Sequence, residues 1–149
     1  MKKAFKYCVL LGIVVLTMSN TTQAFIFGNK DEKLCEETYL SGDIELAEVS
    51  CNKAAPKSAK SQYYLGNIYL KTDRVPEGIA LLEEAASSKQ PQAALVLGEH
   101  YEALNDDESH IKALFYYSFA CDAELLKACE RVHIIETKQK QLADNKKKE

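Results

Sequence analysis

Cys35, Cys51, Cys121 and Cys129 are the most chemically versatile side chains in the downstream part of this 149-residue chain. A cysteine can attack as a thiolate, ligate zinc or close a disulfide. No C-x-x-C pair and no matching histidine spacing accompany these four, which argues against zinc. Their even number favours disulfides in an oxidising compartment, with free buried thiols as the alternative. His100, His110 and His133 are the only histidines, and no H-E-x-x-H, G-x-S-x-G or phosphate-loop pattern surrounds them. Glu36-Glu37, Glu83-Glu84 and Asp106-Asp107 are adjacent carboxylates. Neighbouring residues on a helix do not face each other, so these pairs read as solvated faces rather than an acid–base or metal site. The expectation is therefore no catalytic residue, no metal, no cofactor and no enzyme.

The aromatic set is a different matter. Tyr63, Tyr64, Tyr69, Tyr101, Tyr116 and Tyr117, with Phe115 and Phe119, fall at helical spacing, and such a set is mostly core. A tyrosine also pairs a large apolar ring with a polar tip, which suits the concave side of a binding module. Tyr63 and Tyr116 are the first candidates for contact with a partner.

The compartment is read from the N-terminus. Lys2, Lys3 and Lys6 form a basic region, Tyr7 to Met18 an uncharged apolar run, and Thr22 and Ala24 supply small residues at the −3 and −1 positions. That is the layout of a secretory signal peptide over 1–24, cleaved after Ala24. The apolar run is shorter than the roughly 20 residues needed to span a bilayer. Cys8 lies too early in it to be the lipid-modified residue of a lipoprotein signal. Removing the three lysines takes the formal charge from −3 to −6. So acidic a chain lacks the basic stripe that nucleic acid demands, and Lys146, Lys147 and Lys148 read as part of a solvated tail.

Positioning these residues falls to helices. Glycine and proline are few, no stretch alternates like a half-buried strand, and helical periodicity runs throughout. The spacing predicts helices near 32–41, 43–55, 58–72, 76–89, 91–104, 109–121 and 125–138, after a leader at 25–31 and before a disordered charged tail at 139–149. Pro56 and Pro91 are expected to open the helices that follow them. The sequence is also self-similar. Tyr63-Tyr64-Leu65-Gly66-Asn67-Ile68-Tyr69 returns 32 residues later as Leu95-Val96-Leu97-Gly98-Glu99-His100-Tyr101, with weaker copies around Cys35 and Cys129. Periods of this size mark α/α repeats, in which each unit buries its apolar face against a neighbour.

Leu65, Gly66 and Tyr69, and again Leu97, Gly98 and Tyr101, resemble the signature of Sel-one-like repeats, α/α units related to tetratricopeptide repeats. The resemblance covers roughly Glu32 to Thr137. The spacing is shorter than that family's usual period, and the glycine-rich turn after the tyrosine is missing, so a tetratricopeptide-type array is the alternative. The implied fold is all-α: a short right-handed α/α solenoid of about three helix hairpins over 32–138. On one continuous helix Cys121 and Cys129 would stand about 12 Å apart, too far for a disulfide. By alignment, however, the segment between them matches the inter-helix turn at Ser87 to Pro91, where a bridge is feasible. The spacing is similar to that of the cysteine-rich secreted branch of the family, in which such a pair staples each hairpin. Cys35 and Cys51 flank the Ser41-Gly42-Asp43 turn and could bridge two antiparallel helices, a closure worth about 3 kcal/mol in the chain-entropy model.

The resemblance implies a periplasmic or secreted interaction module that holds a peptide or protein partner. The alternative it offers is a cell-wall-associated ligand-binding protein or weak β-lactam-binding enzyme. Export itself is directly testable: N-terminal sequencing of the exported protein should begin at Phe25, and a form retaining Met1 would overturn the assignment.

Overall fold

The computed structural model describes residues 30–146, so the signal-peptide assignment at 1–24 and most of the leader lie outside the described residues. Seven helices and no strand make up the described chain. Helix α1 covers residues 30–41, α2 Ile44–Ala54, α3 Ala59–Lys71, α4 Val75–Ser87, α5 Pro91–Leu104, α6 Asp107–Asp122 and α7 Leu126–Lys146. Short polar side chains set several starts by accepting an otherwise unpaired backbone N–H. Asp43 accepts from the Leu46 N–H at 2.9 Å, Ser58 from Ser61 at 3.1 Å and Asp106 from Ser109 at 3.0 Å. Pro76 and Pro91 sit in the first turns of α4 and α5, where a proline costs no hydrogen bond. Pro56 does not open α3 as its sequence position suggests. It lies in a separate 3-10 turn, Ala55–Lys57, because Ser58 supplies the cap that starts α3.

The helix exits explain how the array does without a glycine-rich turn. Asp73, Lys89, Asn105 and Glu124 all take positive φ, between 57° and 65°. Behind three of them the next N–H reaches five residues back: Arg74 to the Tyr69 carbonyl, Gln90 to Ala85 and Leu125 to Ala120. This is the left-handed closure that glycine usually provides. The last exit departs from the sequence boundaries, since α7 runs eight residues past 138, to Lys146. The expected tail at 139–149 is thus helical as far as it is described. Its Lys, Gln, Leu and Ala residues are good helix formers, and no glycine or proline interrupts them. The leader boundary at 31 shifts for a related reason, as residues 30 and 31 already belong to α1.

Each helix packs on its sequence neighbours, most closely within the pairs α3/α4 and α5/α6. Side chains also tie alternate helices into two layers. In the odd layer Lys60 of α3 pairs with Glu36 of α1 at 2.7 Å, and Lys127 of α7 with Glu99 of α5 at 2.6 Å. In the even layer Tyr116 of α6 donates to Glu83 of α4 at 3.1 Å. The result is an all-helical repeat array with a core rich in alanine. Cys35, Ala47, Cys51, Leu65 and Ile68 fill its first half, and Leu82, Ala93, Ala94, Leu97, Tyr117 and Ala128 its second.

One contact recurs in all three pairs. A side chain added at Gly66 would bring its Cβ to 2.7 Å from Leu82 Cγ and 3.0 Å from the Gly78 carbonyl. One added at Gly98 would meet the Tyr117 ring at 2.6 Å. Stepping back 31 residues from both Gly66 and Leu82 gives Cys35 and Cys51, whose Cα atoms are 4.5 Å apart. Each hairpin thus closes where a small residue on its first helix receives a side chain from its second. Replacing Gly98 with leucine should lower stability by about 1–3 kcal/mol through overpacking against Tyr117. Far-UV circular dichroism melts would show the loss, and an unchanged melting temperature would contradict this close approach.

Candidate partner-binding grooves

The four downstream cysteines stand in two pairs at disulfide distance. Cys35 and Cys51 are fully buried between α1 and α2. Cys121 and Cys129 are half-buried across the α6–α7 turn, with Cα atoms 4.6 Å apart. Two such pairs point to an oxidising environment. So paired, none of these four is a free thiolate. Among the described residues no group of three His, Cys, Asp or Glu side chains could hold a metal ion, and no helix is long and apolar enough to cross a membrane. Two of the three histidines make contacts within their own helices. His100 packs edge-on against Tyr101, with ring centroids 5.4 Å apart, and His110 Nδ1 lies 2.8 Å from the Asp106 carbonyl of its own helix start.

The repeat signature is structural. Leu65 and Leu97 are buried, and Gly66 and Gly98 make the close contacts described above. Tyr69 is also buried, with the Arg74 guanidinium 3.6 Å from its ring centroid. Tyr101 is only half-buried and stacks in parallel on Tyr116, centroids 5.7 Å apart. Tyr63 and Tyr116, the two candidates for partner contact, join separate aromatic groups. Tyr63 packs beside Tyr64 at 5.1 Å, and Tyr64 in turn lies 4.6 Å from Tyr39 of α1. Tyr116 joins Tyr101 and Phe115. Burial is the main cause that raises both hydroxyls above the usual tyrosine value. For Tyr116, with the Glu83 carboxylate adding to the effect, the value is pushed up to about 12.

Two grooves open between helices of the even layer. The larger, about 520 Å³, runs between α2 and α4 over a floor of Gln62, Leu65 and Tyr69 from α3. Its one cation, Arg74, is already satisfied. It pairs with Glu48 at 2.6 Å and Glu77 at 3.5 Å while stacking on Tyr69. The smaller, about 200 Å³, lies between α4 and α6 and is lined by Glu83, Ala86, Ser87, Phe115, Tyr116 and Phe119. Here Phe115 is 65% exposed, and Ile111, one turn earlier on α6, is 69% exposed. Ile111, Phe115 and Phe119 sit four residues apart and form one exposed apolar stripe.

Sequence reasoning named Phe115 and Phe119 only within a mostly core aromatic set, left out Ile111, and gave Glu83 no partner. Glu83 is exposed, as its solvated reading expects, and one of its oxygens also accepts from both Tyr116, at 3.1 Å, and Tyr101, at 3.4 Å. The Ile111–Phe115–Phe119 spacing was visible, but spacing alone does not tell a buried stripe from an exposed one. No protein-family model matches the sequence, and no curated protein does either.

Glu102 fixes the far wall of the array. It accepts from the Tyr117 hydroxyl of α6 at 2.8 Å and pairs with Arg131 of α7. Burial alone would raise its carboxyl, but the hydrogen bonds from Tyr117 and Arg131 outweigh it and hold the value below the ordinary 4.5. A depressed carboxyl contributes stability that is complete above its unfolded value and is lost as the pH falls through the folded one. Glu102→Gln should therefore melt lower than the parent near neutrality and lose less between about pH 6 and about pH 3. Parallel pH–melting slopes for the two proteins would show that Glu102 does not carry this linkage.

Proposed function

We propose that this protein is an exported, non-enzymatic interaction module of the Sel-one-like type, binding a peptide or protein partner through the grooves of its even helices. The observation that carries the reading is the α6 stripe. Phenylalanine and isoleucine side chains left in water beside a preformed groove are the usual mark of a contact surface. The two cysteine pairs support export, because disulfides persist in oxidising compartments. The Leu-Gly-x-x-Tyr recurrence and the hairpin packing beneath it support the repeat type.

A photo-crosslinking amino acid placed at Ile111 or Phe115, in cells that naturally export the protein, tests the reading. Discrete adducts with one or a few envelope or secreted proteins are expected from these positions, and none from exposed Glu130 on α7. Equal labelling from all three positions, or none from any, would overturn it.

A further inference from the structure

The two grooves differ in what they leave unsatisfied. The α2/α4 groove carries a cation in its wall, Arg74, which Glu48 and Glu77 share. In the α4/α6 groove Glu83 has no such partner. Among the described residues no lysine, arginine or histidine pairs with it, whereas Glu36, Glu48, Glu99 and Glu102 each face a cation. Lys112 comes nearest in kind, lying 5.4 Å from the Tyr101 ring centroid, but it pairs with Glu108 at 2.8 Å. The Tyr101 and Tyr116 hydroxyls both point at one oxygen of Glu83, which fixes the carboxylate and leaves its second oxygen unused by either.

Size narrows the occupant. Sites for small molecules usually enclose about 300–1,000 Å³, and this groove of about 200 Å³ is smaller. It fits one large apolar side chain between Ala86, Phe115 and Phe119, with the Glu83 carboxylate at the rim. Towards the start of α6 the apolar surface continues to Ile111, giving roughly 12 Å of stripe along the helix. A second side chain, one or two turns further along a partner helix, would cover that length. Asp107, at the start of the same helix α6, is exposed as well and in no ion pair among the described residues. Such charges draw in basic partners and repel acidic ones.

We propose that the α4/α6 groove is a docking site for a basic amphipathic helix of a partner protein, which seats an apolar side chain against Phe115 and Phe119 and a lysine or arginine on Glu83. This rests on the interaction-module reading and names the chemistry of its partner.

The test is fluorescence anisotropy with the full exported chain and three labelled synthetic helical peptides: a leucine/lysine amphipath, a leucine/glutamate amphipath and an alanine/lysine control. The leucine/lysine peptide should bind more tightly than the other two. Glu83→Gln keeps an oxygen for the two tyrosine hydroxyls and removes only the charge. It should weaken that binding about threefold to fivefold, the upper part of the range for an exposed ion pair. Phe115→Ala should weaken it about tenfold or more, as for an aromatic anchor. Glu130→Gln on α7 should change nothing, and melting curves should show all three variants folded. Binding indifferent to Glu83 and Phe115, or weakened equally by Glu130→Gln, would overturn the proposal and reduce the effect to general acidity. Crosslinks from Phe115 to a discrete protein, alongside peptide binding that ignores Glu83, would leave the interaction module standing and remove only this assignment of its partner.

Discussion

The rest of the architecture depends on the close approach of the two helices in each hairpin. An array of this kind has no central core. Each pair must instead come near enough for a few side chains to close the gap. Three solutions occupy equivalent places: a disulfide between Cys35 and Cys51, Leu82 over Gly66, and Tyr117 over Gly98. The third reaches furthest. Tyr117 is fully buried, yet its hydroxyl crosses to Glu102, which holds Arg131 of the final helix. Gly98 thus has effects well beyond its own pair. Without the space it leaves, the Tyr117 ring could not come so close to α5 with its hydroxyl on Glu102.

The ends of the array solve a different problem, because a terminal helix lacks a neighbour on one side. Cys35–Cys51 joins the first two helices and Cys121–Cys129 the last two. Closing loops of these lengths is worth about 3 and about 2.5 kcal/mol respectively in the chain-entropy model. Interior pairs, packed on both sides, manage with Ala86 and Ala94 where the last turn has Cys121 and Cys129. The exposed residues of α7 are mostly polar, among them Lys127, Glu130 and Thr137, as a capping helix requires, although Leu126 and Ile134 are exposed too.

Much of this was legible in the sequence, because periodicity and small residues report directly on helix packing. The starts of the seven helices fall within two residues of their expected places, since Asp43, Ser58, Asp106 and the prolines are local signals. Gly66 and Gly98 marked close approach because nothing else explains a glycine repeated at mid-helix. The end of α7 was missed because a charged segment rich in lysine looks the same whether it is a solvated helix or a tail. The site was less legible for a related reason. Exposure belongs to the assembled array, and no local pattern shows that Phe115 faces water while Tyr117, two residues on, is fully enclosed. Glu83 was hidden in the same way: its tyrosine partners lie 18 and 33 residues away on other helices.

The two layers divide the work of holding the array and of presenting a surface. In the odd layer charged groups are spent on one another: Glu36 with Lys60, Glu99 with Lys127, Glu102 with Arg131. Exposed pairs of this kind contribute little stability, about 0–1 kcal/mol each, so their effect is to fix the register between alternate helices. Tyr64 reinforces it by donating to Glu36 from a buried ring. The even layer is linked more sparsely, by Arg74 to Glu48 at one step and by the Tyr116 hydroxyl to Glu83 at the next. The second link uses a neutral donor in place of a cation. It holds α4 and α6 together while leaving the carboxylate its negative charge, and it stands beside the most exposed aromatic ring on the described surface. That substitution of a hydroxyl for a guanidinium is what distinguishes the second groove from the first.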